Sequence, residues 1–88
     1  MLKINFAKSF KKSYKKLNKK DKELFAEVSL KLANNEILEP KYKDHALKGE
    51  YVGFRECHLK PDLLLIYQKQ EDRLILYCLD IGSHSELF

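Results

Sequence analysis

Phe54-Arg55-Glu56-Cys57-His58-Leu59-Lys60-Pro61-Asp62-Leu63-Leu64-Leu65-Ile66-Tyr67 places two extended runs on either side of a Pro-Asp turn signal. Alternate side chains share one face of a strand, so Phe54, Glu56 and His58 point one way while Arg55, Cys57 and Leu59 point the other. The second run, Leu63 to Tyr67, is apolar on both faces, the pattern of a strand covered from both sides. Around this pair the sequence predicts strands at about 51 to 59, 63 to 69 and 73 to 80. Gln70-Glu71-Asp72 makes the second turn, which gives an antiparallel meander.

Something must cover the meander, and the preceding half of the chain supplies it. Leu2 and Ile4 open a short strand, after which Phe6, Phe10, Tyr14 and Leu17 recur at helical spacing. Asn18, with Asp21 three residues on, is an N-cap for a second helix whose apolar face is Leu24, Phe25, Val28 and Leu32. Asn34 and Asn35 end it. Two amphipathic helices joined by a few residues form a hairpin whose stripe must bury itself on a flat surface, so its aromatics read as core. The expected fold is α+β: an N-terminal strand and a two-helix hairpin packed on a small antiparallel sheet. Glu36 to Gly49 has no period and is punctuated by Pro40 and Gly49, so it reads as a long loop, a class that usually carries function.

With 88 residues the chain is expected to form one domain, 1–88, that buries only ~60% of its unfolded surface. Apolar residues make up 44% and charged residues 34%, which fits a globular domain and excludes a disordered chain. No apolar run approaches the ~20 residues of a membrane span, and the N-terminal stretch lacks the apolar core of a signal peptide, so the expected location is the cytoplasm. Cys57 and Cys78 lie inside strand-like apolar stretches and read as reduced packing residues. Charge is uneven: residues 1 to 20 hold eight lysines and no acid, which leaves −4 for the rest of a chain whose net charge is +4. Such lysines either form a solvated helix face or neutralise nucleic-acid phosphates.

All three histidines lie in the second half, each within two residues of a carboxylate: His45 beside Asp44, His58 near Glu56, and His84 near Glu86. Imidazole is the side chain that most readily exchanges protons near neutral pH, so these positions point to acid/base chemistry. Two other readings stay open. His58 could serve only to brace the turn through Asp62, or the three histidines could ligate a metal, although no two have the short spacing of a structural site.

Three segments carry a family resemblance: Asp44-His45-Ala46-Leu47-Lys48-Gly49 as D-H-x-L-x-G, His58 to Asp62 as H-x-x-x-D, and Gly82 to Phe88 as G-[ST]-H-x-x-L-F. In order and spacing they resemble the YafQ branch of the RelE/ParE toxins of bacterial toxin-antitoxin modules. The resemblance implies a RelE-like fold and an endoribonuclease, an mRNA interferase that cleaves messages on the ribosome and halts translation. It assigns the work to the residues matching His45, His58, Asp62, His84 and Phe88, with no cofactor. Cleavage through the 2′-OH needs a base, an acid for the 5′-oxygen and positive charge near the phosphate. On that pattern His84 is the acid, Asp62 or His58 the base, His45 orients the phosphate, and Phe88 stacks on a base or braces His84. Lys48, Arg55 and Lys60 are the nearest candidates for charge stabilisation, and Lys11, Lys12, Lys15 and Lys16 for RNA phosphate. The implied partners are mRNA, the ribosome and a cognate antitoxin, a DinJ-like ribbon-helix-helix protein with an acidic segment. A ParE-like gyrase poison and a non-catalytic RNA-binding module are the alternatives. Two positions depart from the branch: Leu63 stands where a tryptophan is frequent, and Asp80 where many relatives carry arginine. A lysine must then substitute for that arginine, or cleavage is slower.

Overall fold

The computed structural model describes residues 1–88. Its strands are β1 (Lys3–Phe6), β2 (His45–Ala46), β3 (Arg55–Lys60), β4 (Leu63–Gln70) and β5 (Ile75–Gly82); its helices are α1 (Lys8–Tyr14), α2 (Lys19–Ala33) and α3 (His84–Leu87). They form one five-stranded sheet in the order β1-β5-β4-β3-β2. The expected meander is present as β3, β4 and β5, but β1 runs parallel to β5, so the sheet is mixed. The hairpin of α1 and α2 carries the chain across one face of the sheet, and the meander then walks back until its last strand meets β1 pointing the same way. Strand spacing along the sequence does not encode that final orientation.

Asn18 caps α2 as expected, its Oδ1 accepting the Asp21 N–H at 2.8 Å. A cap of this kind stabilises a helix by about 1 kcal/mol. The apolar stripe then seats Phe10, Phe25, Val28 and Leu32 against Cys57, Leu65, Tyr67 and Leu76, all buried in a single cluster. Cys57 therefore faces the helices, which leaves Glu56 and His58 on the opposite face. Both cysteines are free thiols, and burial raises both, Cys78 to about 12. They remain neutral packing groups at any physiological pH.

Three boundaries differ from the sequence reading. The strand expected from 51 begins only at Arg55, because residues Gly49–Tyr51 coil into a 3-10 turn and Gly53 takes a φ of 92°, a conformation that favours glycine. The strand expected from 73 begins at Ile75, after a second 3-10 turn over Glu71–Arg73. The long loop is not structureless: Pro40–Tyr42 form a 3-10 turn, and β2 adds two residues to the edge of β3, with His45 opposite Glu56.

Candidate active site

The register of the sheet gathers the site. His45 of β2 pairs across from Glu56 of β3, and His58 sits two residues along the same face, opposite Leu64, which in turn lies opposite Gly82. Glu56 is the centre of the group. It is 4% exposed, and its Oε1 lies 3.6 Å from His45 Nε2 and 3.5 Å from His58 Nε2. A buried carboxylate is costly without donors, so its position between two imidazoles orients both rings. The His45 ring is fixed further: its Nδ1 lies 2.7 Å from the Lys43 carbonyl oxygen. A carbonyl only accepts, so His45 Nδ1 carries the proton and donates. His58 turns Nε2 toward Glu56, which leaves Nδ1 as the nitrogen facing away from the carboxylate.

Asp44, on the other side of β2, ties this loop to the sheet. Its Oδ1 accepts from Tyr67 Oη at 2.5 Å and from Arg55 Nε at 3.3 Å. Burial alone would pull the Arg55 guanidinium down, but Tyr67 and Asp44 together raise it, and burial followed by Asp44 raises the Tyr67 phenol. Tyr67 therefore stays protonated and donates. The structure places Arg55 in this brace, on the face away from His58, as strand alternation implied, and not beside the imidazoles.

The G-S-H-x-x-L-F segment has a local explanation. Ser83 caps α3 by accepting the Glu86 N–H, while the Glu86 carboxylate accepts the Ser83 N–H at 2.8 Å, a complete capping box. A Cβ at position 82 would meet Glu86 Oε1 at 3.1 Å, which accounts for glycine there. The bond from the Ser83 N–H holds the Glu86 carboxyl below the usual carboxylate range. Asp62 reaches across from the β3–β4 turn and accepts the His84 N–H at 3.2 Å, so α3 is tied to that turn. Phe88 folds back with its ring centroid 5.3 Å from that of His84 and 5.8 Å from that of Tyr51, the latter edge-on.

The expected phosphate-binding lysines divide. Lys60 Nζ is paired at 2.8 Å with Asp21 of α2, while Lys48 is exposed at the start of the Gly49–Tyr51 turn. Lys11, Lys12, Lys15 and Lys16 are exposed on α1 and the turn after it. Of these, Lys16 borders α3, lining a cleft with Asp80, Gly82 and Glu86. Asp80 accepts from Ser13 Oγ at 2.7 Å and from the Ile81 N–H at 2.8 Å. Lys16 is thus the lysine that shares a cleft with Asp80.

Of the five residues to which the sequence points, His45 and His58 meet at Glu56, and Asp62, His84 and Phe88 meet at α3. The shared face of Glu56 and His58 is legible in the sequence but the central place of Glu56 is not, and no local pattern announces the contact of Tyr51 with Phe88. No group of three or more His, Cys, Asp or Glu side chains is arranged to hold a metal ion. No helix is long and apolar enough to cross a membrane.

A small mixed sheet under a helical hairpin, with an imidazole-carboxylate cluster on its open face, is the scaffold of a compact acid/base enzyme. The chain belongs to the YafQ family, bacterial toxins of type II toxin-antitoxin systems, whose family model matches residues 2–88. It is 34% identical over 88 residues to the mRNA interferase toxin YafQ of Escherichia coli K12, an alignment that covers 97% of this chain and 94% of that protein. A crystal structure of a metal-bound toxin from Helicobacter pylori superposes with a TM-score of 0.92 at 51% identity, with both chains fully covered. The E. coli DinJ-YafQ complex contains a chain that superposes with a TM-score of 0.87 at 31% identity, covering 100% of this chain and 99% of that one.

Proposed function

We propose that this toxin is an mRNA interferase that cleaves translated messages by acid/base chemistry, in the cytoplasm, until a cognate DinJ-like antitoxin neutralises it. The observation that carries the reading is the pair of imidazoles held on one buried carboxylate, with a third imidazole presented by a capped helix tied to the turn after β3. His58 Nδ1 takes the proton of a 2′-OH, the 2′-oxygen attacks phosphorus, and His84 gives a proton to the departing 5′-oxygen, which leaves a cyclic phosphate and a free 5′-OH. His45, fixed by Lys43 and Glu56, faces the phosphate. The Asp62 carboxylate is committed to the His84 N–H, so Asp62 positions the acid and His58 is the base. Lys16 offsets charge developing on the phosphorane. Phe88 braces His84 and offers its exposed face, 51% accessible, to a base.

The test is primer extension on a translated message after induction. His84 is exposed, so His84→Ala should leave melting unchanged while lowering cleavage by roughly 10²- to 10⁴-fold, the range for removing a general acid. Undiminished cleavage by this variant at matched expression would remove the acid assignment.

A further inference from the structure

At the far end of β3 from the Asp44 brace, a cleft of about 500 Å³ opens between α2 and the Pro40–Tyr42 turn. Leu24, Leu59 and Pro61 line it together with Lys41, Lys43, His58 and one acid, Glu27. His58 therefore belongs both to the cleft and to the imidazole cluster on Glu56. Lys60 also lines it but is already paired with Asp21. Lys41 Nζ lies 5.2 Å from the Tyr42 ring centroid, and no carboxylate pairs with it or with Lys43. Lys43 has a φ of 47°, a strained left-handed conformation for a lysine, which turns its carbonyl onto His45 Nδ1 and leaves its side chain exposed. One residue thus links the cleft to the ring orientation of His45.

We propose that this cleft is a subsite for the ribonucleotide that flanks the scissile phosphate on the His58 side. Its base lies against Leu24 and Pro61, and its phosphate is held by Lys43 and Lys41. The volume lies in the range of small-ligand sites, and an apolar lining with a few cations suits a flat base joined to an anion. The inference rests on the cleavage reading above. It adds a cationic cleft beside His58 as a second point of grip on RNA, besides Phe88 and the Tyr51 ring it packs on. An acidic protein segment would match the lysine charge, but it would have no use for a lining shared with His58.

The experiment is an amide NMR titration of the full chain with nucleoside 3′,5′-bisphosphates, with inorganic phosphate as the control. Expected are saturable shifts at Tyr42, Lys43 and Leu59, and tighter binding of the nucleotide than of phosphate. Lys43→Ala should weaken nucleotide binding roughly tenfold, the scale of one charge-assisted hydrogen bond lost, and Arg73→Ala, in the exposed turn before β5, should leave it unchanged. Equal affinity for phosphate and nucleotide, or shifts confined to α1, would overturn the subsite. It would also fall if Lys41→Ala/Lys43→Ala lost affinity for the antitoxin while nucleotide binding stayed intact. Message cleavage by the wild type without nucleotide shifts in the cleft defeats the subsite alone. Nucleotide shifts in a protein that never cleaves message defeat the cleavage reading alone.

Discussion

Glu56 is a carboxyl in a nearly closed position, and a polar group so placed must have partners among its neighbours. Two imidazole nitrogens lie within 3.6 Å of it; His45 is then held at both nitrogens, by Glu56 and Lys43, while His58 keeps Nδ1 turned away from the carboxylate. Glu56→Gln keeps the shape and removes the charge. An amide still bonds one ring but presents its NH₂ to the other, so cleavage should fall roughly tenfold or more, as when a base loses its orienting partner. Primer extension on the variant, with thermal melting alongside, checks this, and a variant as active as wild type would show that the imidazoles orient themselves. At this scale much was legible in the sequence. Strand alternation alone put Glu56 and His58 on one face and Arg55 on the other. What could not be read was the Asp44–Tyr67 bond, because it joins residues 23 apart through a register that only the folded sheet sets.

Among the elements, α3 is the one whose stability and chemistry meet. Four residues cannot sustain a helix by propagation, so its geometry depends on the capping box, the Asp62 tether and the return of Phe88. Glu86 is depressed below its ordinary value of 4.5 in the folded state because the Ser83 N–H favours the carboxylate. Its contribution is therefore present above that value and is lost as pH falls through the lower folded value. Acidification well below pH 4.5 should loosen α3, read as fading NMR contacts between His84 and Phe88, and Glu86→Gln should remove that pH dependence. Deletion of Phe88 probes the other support. It should lower cleavage about tenfold or more, since one stacked aromatic is worth on the order of 1–3 kcal/mol. Lost cleavage with unchanged melting marks contact with RNA, lost cleavage with lower melting marks the brace on His84, and no change in either would remove Phe88 from the site. The motif announced this element, yet helix α3 itself was not anticipated, because four residues show no periodicity. The long loop hid β2 for the same reason: two residues cannot display alternation.

On the scale of the whole molecule, charge and chemistry are segregated. The +8 of residues 1 to 20 sits on β1, α1 and the start of α2, while the imidazoles occupy the sheet face that the helical hairpin leaves open. Lysines so grouped act at long range on any polyanion, ribosomal RNA or an acidic antitoxin segment alike. Local geometry separates the two roles. Lys11 and Lys15 flank an apolar cleft formed by Phe6, Phe10, Tyr14 and Phe25, whereas Lys16 turns toward α3. This cleft holds four aromatic rings and no residue of the imidazole cluster, so it has no part in the cleavage site and suits a folded partner segment that buries apolar side chains. Lys11→Glu/Lys15→Glu should therefore slow association with the antitoxin by at least about tenfold at low salt and change dissociation little, because steering acts on encounter. The wild-type rate should fall steeply as salt rises, toward that of the variant, since screening beyond ~10 Å is nearly complete at 0.1 M. Stopped-flow association at several ionic strengths measures both. If the double variant binds the antitoxin as fast as wild type but no longer cleaves message on ribosomes, these two lysines serve the ribosome, and the antitoxin must dock elsewhere on the molecule.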